Sequence, residues 1–317
     1  MNRKVFLWIK IAVGILILAM MFYTIRPKPL WEALFAARFE LVVFSALLMP
    51  LNIWTQERKW SYLVHLVKHD ATIFETTGSL LGGFAFGIVT PGRIGEYGRS
   101  LLIKGTDPLK LVGLTVIDKF YNLGCTAAFG LPALLTLPWA LTLATGYLFY
   151  SLIGMLLVVD LLLLYFSLDP RPVRSMLYAA QMMLPKGQRF SQIMGGLDRF
   201  GSPEARVTLF WTILHQIVFL FQYYFLINAF GKLALVPAWR GASAILLAKS
   251  ALPIAIGDLG IDQLVSVQFF GQFGVTSEAA FNASLLLFAI NVVMPSLFGV
   301  LFVSKLQIGR GEKGLTG

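Results

Sequence analysis

The chain has 317 residues, 57% hydrophobic and 13% charged, with a mean hydropathy of +0.75. Water-soluble domains carry about 45–50% apolar and about 25% charged residues, so this chain has too little polar surface for a water-facing globule and a bilayer is its solvent. Disorder, a disulfide scaffold, a coiled coil and a cytosolic enzyme are excluded, and the net charge of +10 reads as cytoplasmic loops facing anionic lipid, with no nucleic-acid module in sight.

In chain order, Arg3 and Lys4 precede an apolar run from Val5 to Ile25. No small-x-small cleavage site follows, so the run is expected to be an uncleaved first transmembrane helix. Further spans are expected at 40–56, 111–136, 140–167, 207–230 and 280–303, about six in all at ~20 residues each. The second is short and interrupted by Pro50 and Asn52.

Two other apolar segments are broken. Gly78 to Leu102 reads GSLLGGFAFGIVTPGRIGEYGRSLL, and Ala242 to Phe270 reads ASAILLAKSALPIAIGDLGIDQLVSVQFF. Each has an apolar arm, a Pro-Gly break with charges, and a second arm. Neither arm is long enough to span, and broken backbone at membrane depth survives only in protein or beside a wet cavity. Both read as re-entrant hairpins, with Pro91, Gly92, Gly95, Pro253, Gly257 and Gly260 as backbone hinges.

Lys and Arg counts favour an N-in/C-in orientation, with the loop 168–206 inside. Arg26, Lys28 and Arg38 disobey, falling outside. The first hairpin then enters from the cytoplasm and the second from the other side, as in inverted-repeat transporters. The expected architecture is an all-α, single polytopic domain over 1–317. In the loop 168–206, Met176–Leu184 and Phe190–Phe200 are amphipathic. They read as interfacial helices on anionic lipid, with a partner-docking surface as the alternative.

The strongest local signal is Thr90-Pro91-Gly92-Arg93-Ile94-Gly95-Glu96-Tyr97-Gly98-Arg99. Its glycines allow close backbone approach. Arg93 and Arg99 offer forked donors suited to phosphate, and Glu96 can pair with either or with a cationic headgroup. Arginines snorkelling to lipid phosphates are the plainer reading. Asp118 and Lys119 lie inside the third span; Lys119 is expected to face Glu96 or a lipid phosphate, and Asp118 to face Arg93 or Arg99. Asp160, in the fourth span, is expected to face the bundle interior, because a charge facing lipid is costly. Asp258 and Asp262 in the second break are candidates for a coupling cation or proton, with Lys249 placed to neutralise Asp258. Arg58 and Lys59 read as a cytoplasmic anchor. His65 and His69 lack a third ligand, and His215, Gln216, Gln222 and Asn228 suit interhelical hydrogen bonds. Cys125 is the single cysteine, and three histidines leave little for zinc; no metal, cofactor or catalytic motif is expected.

The first hairpin resembles the P-G-[RG]-[IL]-G-E-x-x-R pattern of the lysylphosphatidylglycerol synthase transmembrane family, the flippase-like domain. LPIAIGDLGIDQL is similar to that family's second glycine-rich motif, with Asp258 for a glycine and Ile261-Asp262-Gln263 for a typical [VI]-R-E. Asp118-Lys119 and Gln56-Glu57-Arg58-Lys59-Trp60 resemble its acidic–basic pair and basic-Trp end. The resemblance covers about residues 5 to 305. It implies a stand-alone member without the soluble transferase domain, hence lipid translocation across the inner membrane and not synthesis. Aminoacyl-phospholipids, glycolipids and polyprenyl-phosphate lipids are the implied substrate classes. A membrane subunit docking a lipid-modifying enzyme through loop 168–206 is the other reading. Gly78-x-x-x-Gly82 and Gly83-x-x-x-Gly87 suit helix packing within one chain or between copies.

Overall fold

A computed structural model describes residues 32–90, 92–142, 146–171, 175, 188–251 and 260–311. All regular elements among them are helical. The expected first span, Pro91, the stretch Met176–Leu184, and Pro253, Gly257 and Asp258 lie outside the described residues.

Helix α1 (Phe39–His65) runs through Pro50 and is longer than the expected 40–56. The proline removes one backbone donor, and the neighbouring turn is stitched to α7 (Ser202–Phe230) by Gln222. Its Nε2 donates to the Ser45 carbonyl, its Oε1 accepts from Asn52 Nδ2 at 2.9 Å, and its own carbonyl accepts from Ser45 Oγ. A neighbouring helix thus satisfies the polar groups that made the span look weak. Arg38, just ahead of α1, donates to the carbonyls of Asn228 and Gly231 at the end of α7. Its charge caps a helix, which is why it sits badly in a loop-charge count.

Helix α2 (Ile73–Ile88) opens with a capping box between Thr72 and Glu75. The first broken segment is α2, a turn, and the 3-10 helix η1 (Ile94–Leu101), so its second arm is tighter and shorter than an apolar arm. The tandem glycines of α2 are used inside the chain. A Cβ at Gly78 would press on the Phe302 ring, at Gly82 on Leu102 and Val303, at Gly83 on Arg99 and at Gly87 on Glu96.

Helix α3 (Pro108–Leu135) crosses behind η1. The expected 140–167 span divides into α4 (Pro138–Thr142) and α5 (Tyr147–Leu168), parted by Gly146 at φ +74°. Helix α6 (Gln188–Gly195) corrects one expectation. Met194, Leu197 and Phe200 are buried, and Gly113 of α3 and Gly196 meet the carbonyls of Ile193 and Lys110. The apolar face of the second amphipathic stretch is therefore covered by α3 and not by lipid.

The second broken segment comprises α8 (Leu235–Ala251) and α9 (Ile261–Gly271), which pack together. Helix α10 (Ser277–Phe288) continues through a widened turn at Ala289–Val293 into α11 (Met294–Gly311). Pro295 has no N–H to return to the Asn291 carbonyl, and the turn ahead of it widens. Among the described residues four segments, Phe39–His65, Phe149–Leu168, Ser202–Phe230 and Ser277–Val303, are long and apolar enough to cross a membrane. Two cores share α1. Trp60, Leu63, Leu81, Phe84, Leu111 and Tyr121 build one around the first broken segment. Met49, Tyr223, Ile245, Phe270 and Leu287 build the other around the second.

Candidate functional site

The segment Gly92-Arg93-Ile94-Gly95-Glu96-Tyr97-Gly98-Arg99 repeats with a period of three. A 3-10 helix has three residues per turn and eclipses i with i+3, so η1 sorts these residues onto separate edges. Gly95 and Gly98 meet α2 at Phe86; a Cβ on Gly95 would strike the Phe86 carbonyl. Ile94 is exposed. Glu96 and Arg99 are buried toward α3. The turn into η1 puts Gly92 and Arg93 in the left-handed region, at φ +56° and +54°. For a non-glycine residue that conformation costs roughly 1–2 kcal/mol, and Thr90 Oγ1 holds the turn by accepting from Gly95 N at 2.7 Å.

Two ion triads result. In the inner one, Asp118 of α3 meets Lys59 Nζ at 2.7 Å and Arg99 Nη2 at 2.9 Å. All three side chains are at most 6% exposed. Lys59 also donates to Asn122 Oδ1 and Thr212 Oγ1. Arg99 Nε donates to Thr115 Oγ1, and its guanidinium lies 3.7 Å over the Trp60 ring. Trp60 Nε1 donates to Ser79 Oγ, which donates to the Arg99 carbonyl. Stacking and forked hydrogen bonding are what a buried arginine requires.

The outer triad is Arg93, Glu96 and Lys119. Arg93 Nε is 2.5 Å from Glu96 Oε1, and Lys119 Nζ donates to Glu96 Oε2. Arg93 also lies over the Phe84 ring. Glu96 is buried, but Arg93 and Lys119 reach the surface, at 23% and 34% exposed. Between the triads is a cavity of about 20 Å³ lined by Gln56, Gly83, Glu96, Arg99, Asp118, Lys119 and Asn122, among others.

The five expected residues Arg93, Glu96, Arg99, Asp118 and Lys119 are thus brought together, with the pairings Lys119–Glu96 and Asp118–Arg99. Lys59 is the residue the sequence reading misplaced. It is no interfacial anchor: it is 1% exposed and completes the inner triad. Its signal was the polar stripe Ser45, Asn52, Gln56 and Lys59 along α1, which recurs at helical spacing.

The remaining candidates lie elsewhere. Asp262 is buried against Lys249 at 3.1 Å, so the lysine expected for Asp258 serves Asp262. Gly260, at φ +90°, starts α9 with Gln263 Oε1 accepting from its N–H. Asp160 borders an apolar cleft of about 340 Å³ between α3 and α5, lined by Pro132, Leu135, Thr136, Phe149 and Ile153 among others. His69 meets Arg199 at 2.7 Å, and His65 meets the Ser61 carbonyl. Among the described residues no group of acids, His and Cys is arranged to hold a metal ion. Asn228 caps α7 through Leu233 and does not bridge helices.

Residues 7–299 match the family model described as the lysylphosphatidylglycerol synthase TM region. Comparison with curated proteins gives no match.

Proposed function

The chain belongs to the lysylphosphatidylglycerol synthase TM region family, and from that premise and the charged cluster we propose that it is a carrier that binds a lipid by its phosphate and moves it across the cytoplasmic membrane. One observation carries the reading. Four cations (Lys59, Arg93, Arg99 and Lys119) share two carboxylates (Glu96 and Asp118), a surplus of two positive charges. Charge in a membrane-embedded bundle is expensive and marks substrate pathways. A positive surplus suits phosphate, whose oxygens accept from arginine forks and lysine donors.

The roles divide by exposure. Arg93 and Lys119 are the groups within reach of a headgroup. Arg99, Asp118 and Lys59 hold them from behind and keep the local field positive. The substrate is an anionic or headgroup-modified lipid, with aminoacyl-phospholipids, glycolipids and polyprenyl-phosphate lipids as the classes that fit. The two broken segments act as opposed gates, and the protein moves lipid without altering it covalently. Asp258 and Asp160 are the candidates for a coupling ion, and Asp262, already paired with Lys249, would have to exchange that partner to join them.

Mass spectrometry of lipids co-purifying with wild type and with Arg93→Ala tests this. A phosphate-bearing lipid enriched only in wild type is the expected result. Arg93→Lys should restore it in part, since a single ammonium replaces a fork. Bulk-membrane lipid profiles in both proteins would refute the site, as would undiminished transport by Arg93→Ala in proteoliposomes.

A further inference from the structure

Glu96 lies between the two cations that reach the surface, with one carboxylate oxygen toward Arg93 and the other toward Lys119. Its seat is shaped for it. A Cβ on Gly87 would come to 2.7 Å of Glu96 Cγ, so α2 carries no side chain there. The three-residue period of η1 puts Glu96 and Arg99 on one edge, and the left-handed Arg93 sits at its entry. The adjoining cavity of about 20 Å³ is the size of one water. A phosphate with its four oxygens does not fit beside the inner triad while this carboxylate stays where it is.

We infer that Glu96 is a built-in competitor for the anion seat, holding the donors that an arriving phosphate must take over; this rests on reading the cluster as a phosphate site. To reach the donors of Arg93 and Lys119 that face Glu96, an incoming group must replace a full carboxylate that is tethered at high effective concentration. Hydroxyls and ester carbonyls have no net charge and cannot. A phosphate brings charge together with several acceptor oxygens, and each oxygen can take a donor that Glu96 releases.

The test uses the full chain in detergent, titrated with phosphatidylglycerol bearing a fluorescent acyl chain. Diacylglycerol with the same label is the neutral control. Glu96→Gln keeps shape and hydrogen bonding but removes the competing charge. A like charge within about 5 Å of the arriving anion, at an effective dielectric near 20, makes at least tenfold tighter phosphatidylglycerol binding the expected result, with diacylglycerol unchanged. Glu96→Asp, one methylene shorter, should tighten binding by an intermediate factor, and it serves if Glu96→Gln does not fold. Inorganic phosphate as competitor separates the sources of the anion. Displacement of the labelled lipid at millimolar phosphate puts recognition in the phosphate alone, no displacement puts it in the lipid-borne group, and either fits the competitor role. Equal or weaker binding in both Glu96 variants, with Arg93→Ala still losing the lipid, overturns the role and leaves the phosphate reading intact. Affinity indifferent to Arg93→Ala removes the phosphate reading itself.

Discussion

Asp118→Asn isolates what the inner triad contributes to stability. The substitution is nearly isosteric, so packing around residue 118 is kept and one charge is lost. In the wild-type protein that charge is shared by Lys59 at 2.7 Å and Arg99 at 2.9 Å. At an effective dielectric near 20 each contact is worth on the order of 5 kcal/mol before desolvation. Breaking a buried pair by removing one partner costs about 3–5 kcal/mol net, because a charge is left buried and unpaired. Here two cations lose their counterion together and then face each other, so the upper part of that range is expected. Trp60 softens the loss on the arginine side by stacking at 3.7 Å, and Thr212 and Asn122 still accept from Lys59. The assay is reversible unfolding in mixed micelles, with the double variant Lys59→Met/Asp118→Asn completing a cycle. The double variant should recover more than half of the loss, since it removes one of the two stranded cations. A loss under about 1 kcal/mol in Asp118→Asn would refute the account of the triad as a charged, mutually dependent unit. So would a double variant no more stable than the single.

Two further outcomes follow from local geometry. At Gly299 a Cβ would strike the Leu81 carbonyl, whereas at Gly154 it meets nothing within 4 Å. Gly299→Ala should therefore force α11 off α2 and cost about 1–3 kcal/mol, while Gly154→Ala in α5 should be neutral or stabilise by up to about 1 kcal/mol; the same unfolding assay compares them. At the end of α5, hydrogen bonds from Arg171 and from Ser202 hold the Asp169 carboxyl below the usual carboxylate range. A lowered folded-state pKa contributes stability above the unfolded value of about 3.9 and loses it as pH falls through the folded one. Asp169→Asn should thus lower stability slightly at neutral pH and flatten the decline below about pH 4, read from acid-unfolding curves of the two proteins.

Much of the site was legible because charge inside apolar sequence is conspicuous. Arg93, Glu96, Arg99, Asp118 and Lys119 stand out by cost alone, and their pairing follows from which can face which. The architecture of the first broken segment was not legible in the same way. Its glycines at 92, 95 and 98 look like freedom to approach a ligand. In the fold Gly95 and Gly98 are the contact edge of η1 against Phe86. The glycines of α2 look like a helix-packing stripe and prove to be clearance for η1 on one side and α11 on the other. Lys59 and the stretch around Met194 were misplaced for one reason: hydropathy ranks residues by type, while burial depends on a partner far along the chain. Lys59 is buried because Asp118 is there. Met194 and Phe200 are buried because Gly113 lets α6 approach α3. The start of α2, by contrast, could have been read directly, since Thr72-x-x-Glu75 is a capping box ahead of an apolar run.

The three-residue period also explains why this site is built on a 3-10 helix. In an α-helix a spacing of three advances the side chain by about 300°, so Glu96 and Arg99 would stand roughly 60° apart around the axis. They would then no longer share one edge toward α3. The tighter winding keeps them aligned, at the cost of poorer hydrogen-bond geometry. That cost is offset by Thr90 at the entry, by the Ser79 hydroxyl on the Arg99 carbonyl and by the ion pairs themselves. Losing the ion pairs should therefore loosen η1 as well as the charge cluster. Asp118→Asn is expected to raise amide hydrogen exchange across 94–101 while leaving the cap at Thr72 protected, and protection unchanged over η1 would show that its winding does not depend on the charges it aligns.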